Sequence, residues 1–242
     1  MSVDRPSAVI IDDATVIRQS FPAVMPELEI AATFATVDQF ISSGVRVDLV
    51  ILELQRVDKC PIEVRRGLDS LRLAVAEGHR VCSYTQEARP FVHAACLAAG
   101  ARGVVSKGDP LPVAQQLFLD VARGQTIITA DLITAFDLLP KRRQLAVLTA
   151  RQRSILNARA RRLTFAETAE KLDLDASVVL TEWRKASAAL GEHLRGADLE
   201  LVTGQLELDP AGLADIWPVA LSDGPRTRVR TETGTRSRRI AE

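Results

Sequence analysis

The chain is poor in cysteine, holding three in 242 residues. Cys60, Cys82 and Cys96 are too few and too widely spaced for a disulfide framework or a zinc knuckle, so a reducing cytoplasm is the expected setting. No apolar stretch reaches the roughly 18 residues of a membrane span, and Met1 to Pro6 has no basic segment leading into an apolar core. A soluble, unexported protein without membrane attachment is expected. Lys plus Arg and Asp plus Glu both total 31, so no net field names a partner. A glycine-rich nucleotide loop is missing, and His79, His93 and His193 have no evident nucleophile beside them, which argues against an enzyme. His93 and Cys96 share a helix face at i,i+3, but two ligands do not make a metal site. No cofactor and no metal are expected.

What is present divides into two modules, in keeping with the length. Only residues 125–195 are basic, with 12 basic against 8 acidic side chains, a modest hint of nucleic acid. In the first half, apolar β-branched runs alternate with stretches of helical spacing: Ser7–Ile11 then Ala14–Val24, Glu29–Phe34 then Val37–Ser42, Val47–Leu52 then Ile62–Glu77, Arg80–Tyr84 then Phe91–Ala99, and Gly103–Val105 then Leu111–Arg123. Five strands each followed by a helix predict an α/β fold with a doubly wound parallel sheet. In such sheets functional groups gather beyond the carboxyl ends of the strands. Those ends carry Asp12, Asp13, Glu53, Thr85 and Lys107.

These five residues resemble the phosphorylation pocket of response-regulator receiver domains, and the resemblance covers about the first 125 residues. In that family an acidic pair holds magnesium, an aspartate accepts the phosphoryl group, and a hydroxyl residue and a lysine contact the phosphate. Asp12 and Asp13 stand at the acidic pair, Thr85 at the hydroxyl and Lys107 at the lysine. At the acceptor position, in Asp48-Leu49-Val50-Ile51-Leu52-Glu53, this chain has glutamate. One extra methylene displaces the carboxylate by roughly an ångström or more, too far for in-line attack. Ordinary phosphotransfer is therefore expected to fail. The Met-Pro that follows the acceptor in the family is replaced by Arg56-Val57-Asp58-Lys59-Cys60, where Asp58 is a candidate substitute acceptor. Two readings of Glu53 stand. It either supplies to Lys107 and Thr85 about one unit of the nearly two that a phosphoryl group carries, or it forms a structural ion pair with Lys107 while Asp12 and Asp13 are solvated.

The domain boundaries expected are 1–124 for the receiver-like module, 125–146 for a linker with a short helix over Leu132–Leu139 and a break near Pro140, 147–195 for a helical module, and 196–242 for a C-terminal extension. Thr149, Thr164 with Glu167, and Asp175 are candidate N-caps for three helices, the last from about Ala176 to Leu190. Three short helices with a tight connection at Asp173-Leu174-Asp175 predict a helix-turn-helix whose third member enters the major groove. The run Leu148-Thr149-Ala150-Arg151-Gln152-Arg153-Ser154-Ile155-Leu156, with Glu167-Thr168-Ala169 and Ala189-Leu190-Gly191, resembles the LuxR and NarL type of effector domain, which opens on Leu-Thr-x-Arg-Glu. What that resemblance implies is a transcription regulator of two-component type that binds double-stranded DNA as a homodimer. Thr181, Arg184 and Lys185 are the implied contacts, with Arg151, Arg153, Arg159, Arg161 and Arg162 as further phosphate ligands. Leu180 and Glu182 depart from the family's lysine and histidine; leucine donates nothing, and Glu182 repels phosphate. Trp183 stands at a core position.

Beyond Glu192 the chain exceeds the family pattern: Asp198–Leu208 alternates acidic and apolar residues, Pro210–Ala220 is a candidate short helix around Trp217, and from Ser222 disorder is expected. The leading expectation is a DNA-binding regulator governed by dimerisation, a small ligand or a regulatory protein rather than by an aspartyl phosphate. The alternative is an interaction protein whose effector head no longer reads DNA.

Overall fold

The computed structural model describes residues 5–54, 61–128, 132, 148–161, 163–206, 208–211, 213–214, 216 and 217. Asp58 and its loop, the break near Pro140, the body of the Leu132–Leu139 helix, Arg162 and the segment expected to be disordered lie outside the described residues.

The first half is the expected α/β architecture. Strands β1 (Ser7–Ile11), β2 (Glu29–Phe34), β3 (Leu49–Leu52), β4 (Val81–Thr85) and β5 (Gly103–Ser106) form one parallel sheet in the order β2-β1-β3-β4-β5. Helices α1 (Thr15–Val24), α2 (Val37–Ser43), α3 (Pro61–Ala76), α4 (Pro90–Ala98) and α5 (Leu111–Ala122) follow the strands. All four residues of β3 are buried, as a continuously apolar central strand requires, whereas β2 alternates exposed and half-buried positions as an edge does. At the opposite edge Ile127 donates its N–H to Arg102 O and bridges to Gly103. That contact covers part of an otherwise unpaired strand.

Helices α6 (Ala150–Ala160), α7 (Phe165–Leu172) and α8 (Ala176–Arg195) form the second, all-helical part, followed by the short α9 (Leu199–Gln205). Thr149 with Gln152 and Thr164 with Glu167 close reciprocal capping boxes on α6 and α7. Asp173 ends α7 in the left-handed region at φ 52°, a conformation that aspartate tolerates better than most residues, and so turns the chain sharply into α8. Three expectations are corrected. Asp175 has the extended backbone of an N-cap but its side chain makes no cap hydrogen bond. Helix α8 continues past Leu190 to Arg195. In the candidate helix Pro210–Ala220, the described residues between Ala211 and Trp217 form turns and a bend, with Asp209 accepting from the Ala211 N–H in a local bond that competes with helix formation.

Helix α4 joins the two parts. Its run Phe91-Val92-His93-Ala94-Ala95-Cys96-Leu97 is buried throughout. A helix with no polar face has to be covered on every side. One side rests on β5, and others meet α8, α9 and the Trp217 ring, whose centroid lies 5.5 Å from that of Phe91. Among the described residues, no helix is long and apolar enough to cross a membrane.

Candidate functional site

Strand register sets the first cluster. Ile11 lies beside Leu52, Leu52 beside Ser83, and Thr85 beside Ser106, so the residues that follow these strands emerge along one edge of the sheet. Asp12 is 2% exposed, Glu53 8% and Thr85 2%, while Asp13 is exposed. The acidic pair is thus split, which corrects the picture of two solvated carboxylates. Lys107 is the hub: its ammonium donates to Asp12 Oδ2 at 2.8 Å and pairs with Glu53 Oε2. Asp12 Oδ1 accepts from the Ala14 N–H at 2.8 Å, and Arg18 donates to the carbonyls of both Asp12 and Asp13. The Thr85 hydroxyl accepts from the Glu87 N–H at 3.1 Å.

Burial pushes the Glu53 carboxyl up to about 7, against the pull of the Lys107 charge; the Asp12 charge adds to the rise, and a hydrogen bond from Thr85 opposes it. For Lys107, burial acts downward, but its bonds to Asp12 and Glu53 prevail and hold it above the ordinary lysine value. Asp12, Asp13 and Glu53 border an open cleft of about 350 Å³ whose other walls include Thr36, Arg66 and Ser70. Lys107 and Thr85 do not line it. Magnesium takes several oxygen ligands. Here Asp12 accepts from the Ala14 N–H and from Lys107, Glu53 turns to Lys107, and Asp13 is exposed. Among the described residues no three His, Cys, Asp or Glu gather as ligands.

The second cluster lies on α8. Thr181, Arg184 and Lys185 are exposed, while Trp183 between them is buried against Phe165, ring centroids 5.4 Å apart. Trp183 therefore packs beneath the helix. Each of the three exposed residues is engaged within the chain. The Thr181 hydroxyl donates to Ser177 O at 2.8 Å, Arg184 Nε to Gln125 Oε1 at 2.8 Å, and Lys185 Nζ to Glu182 Oε1 at 2.9 Å. Buried Asp120 on α5 also feels the Arg184 charge: burial raises its pKa, while a hydrogen bond from Gln116 and the charges of Arg184 and Arg123 hold the rise down.

Glu182 accepts a second bond, from Gln152 Nε2 at 3.1 Å. Two departures from the family pattern are therefore partners: a glutamate at 152 would face a like charge, whereas glutamine donates. Arg151, Arg153 and Arg161 are exposed. Arg159 is not available for that role; its guanidinium lies 4.1 Å from the centre of the Phe165 ring and donates to Leu163 O. Sequence reasoning missed Gln125 and Asp120, since nothing in their local sequence marks residues about 60 positions from Arg184.

No protein-family profile matches the chain, and no curated protein matches it. Solved structures similar to it include the two-component response regulator RcsB in a DNA complex, with a TM-score of 0.45, 15% identity, and 84% of this chain and 98% of that chain covered. The response regulator ChrA of a heme-sensing two-component system gives 0.43 and 19%, with 88% and 96% covered. The signal receiver domain of NarL from Mycobacterium tuberculosis gives 0.42 and 15%, with 50% and 98% covered.

Proposed function

We propose that this chain is a DNA-binding transcription regulator built on the plan of a response regulator, with a receiver-like domain over 1–124, a linker over 125–146, an effector head over 147–195 and an extension over 196–242. The observation that carries the reading is α8, which presents Thr181, Arg184 and Lys185 to solvent above a packed Trp183, as a helix entering the major groove must. Control is independent of aspartyl phosphorylation. Glu53 occupies the acceptor position and is already paired with Lys107, so the lysine that would meet a phosphoryl group has its counter-charge in the chain. Two copies acting together on paired half-sites compensate for the contacts that Leu180 and Glu182 withhold.

The test is retention of genomic DNA fragments by the full-length protein at rising salt, compared with an Arg184→Ala, Lys185→Ala variant. Wild type should enrich a shared, two-fold symmetric sequence. The variant should lose it, with a salt slope smaller by about 0.9 for each phosphate contact removed. The second reading, a protein-interaction head, is favoured by one observation: all three candidate contact residues are bonded within the chain. Release of all DNA at moderate salt by wild type and variant alike, with no common sequence, selects that reading.

A further inference from the structure

The residues after α8 are absorbed by neither site. They nevertheless make a built surface: Val202 and Thr203 on α9 are buried, Leu199, Leu206 and Leu213 pack against the core, and Ile216 and Trp217 are 3% and 7% exposed. Helix α9 has only seven residues, well under the length at which a helix holds itself together in water. Its order therefore depends on what it lies against, which is α4. The last described residue, Trp217, is set against Phe91 at the start of α4.

We propose that Leu199–Trp217 is an intramolecular strap that closes over α4 and holds the helical head against the α/β part. The strap and the head share one backbone, since α9 begins four residues after the end of α8. They also share one support, because α8 and α9 both rest on α4. Lifting the strap bares an apolar helix surface and removes the anchor beyond the head, which leaves the head held by α8 alone. The docked position then rests on the packing of α8 on α4, with Arg184 on Gln125 and the close passage of Gly191 over Thr126, where a Cβ would come within 2.8 Å of the Thr126 methyl, among its contacts. A short element ordered only by docking has two states, and whatever favours the undocked one frees the head. In the regulator proposed above, that step frees Arg184 for DNA; this last link rests on that reading, whereas the strap does not.

Hydrogen exchange with fragment mass spectrometry on the full chain tests the strap, comparing wild type with Trp217→Ala and Trp217→Phe. The alanine variant should exchange α4 and α9 amides about tenfold faster or more, since a unit that opens on its own is held shut only by its local packing, and Trp217 supplies much of it here. Amides of β3, deep in the sheet, should not change, and phenylalanine should restore most of the protection. Unchanged α4 exchange overturns the proposal. Equal acceleration in β3 overturns it too, because Trp217 would then be a general stability residue. DNA retention at one moderate salt concentration gives the second arm, with Trp217→Ala expected to bind severalfold more tightly than wild type. Equal DNA binding alongside a released α4 overturns the link from strap to head. If neither protein binds DNA but α4 is released, the strap stands and the DNA reading falls.

Discussion

Glu53→Gln separates the two forces acting on the buried pair. The Glu53 carboxyl rises from its ordinary 4.5 to about 7 because burial outweighs the attraction of Lys107. At 8% exposed it is little screened by salt. In the folded chain the group therefore holds its proton in a pH window where the unfolded chain has released it. The stability this contributes is fully present below pH 4.5 and is lost as the pH rises through about 7. At about 1.36 kcal/mol for each pH unit of that window, the whole span is worth about 3 kcal/mol.

Glutamine copies the neutral form and cannot titrate. Urea unfolding followed by far-ultraviolet circular dichroism, run in steps from pH 4.5 to 8, should give a wild-type free energy that falls relative to the variant as the pH rises. Subtracting the variant curve removes the other titrating groups, which the two proteins share. A flat difference would mean that the carboxyl is not held up by burial. A wild type that gains stability with pH would mean that the Lys107 ion pair outweighs desolvation, and the ordering of forces argued here would be wrong.

Three other outcomes are expected. Incubation of the intact chain with a small phosphodonor and magnesium should add no phosphoryl mass; a stoichiometric adduct overturns the reading of Glu53. Gln152→Glu keeps the α6 capping box but sets a carboxylate against Glu182, so the thermal midpoint of the head should fall, recovering with added salt and in the double variant with Glu182→Gln. Gly191→Ala brings a methyl group against Thr126, an overpacking that costs about 1–3 kcal/mol; Thr126→Ser, which removes the opposing methyl, should relieve it, as read by urea unfolding of the single and double variants.

Much of the fold is legible in the sequence because periodicity and punctuation agree. The apolar Leu49–Leu52 run ending on Glu53 could hardly be other than a central parallel strand with a polar residue at its carboxyl end, and Thr164 with Glu167 announces the start of α7. The sequence reading stops α8 at Leu190, just before Gly191, whereas the helix runs on to Arg195. A glycine late in a helical pattern ordinarily marks a C-cap, but this one lies inside the helix, where Thr126 leaves no room for a side chain. A contact between residues so far apart in sequence leaves no local trace. Helix α4 is an intermediate case: Phe91–Leu97 has no polar face, which says that it is covered all round, and only the fold says by what.

Both clusters have the same logic with different strengths. Lys107, which in the resembling family meets a phosphoryl group, is answered here by Asp12 and Glu53, and Lys185 and Arg184, which would meet DNA phosphates, are answered by Glu182 and Gln125. Lys107 is held between two buried carboxylates, Asp12 and Glu53, so a ligand entering there would have to take the place of both. The interactions on α8 are at the surface, where ion pairs are worth little and salt screens them. A phosphate backbone brings many charges at once and releases its counterions, which suffices to exchange partners there. In the regulator proposed above, the same chain would be closed to phosphoryl transfer at the sheet edge and open to DNA at the head, and the part left to regulate would be the docking that holds Arg184 on Gln125.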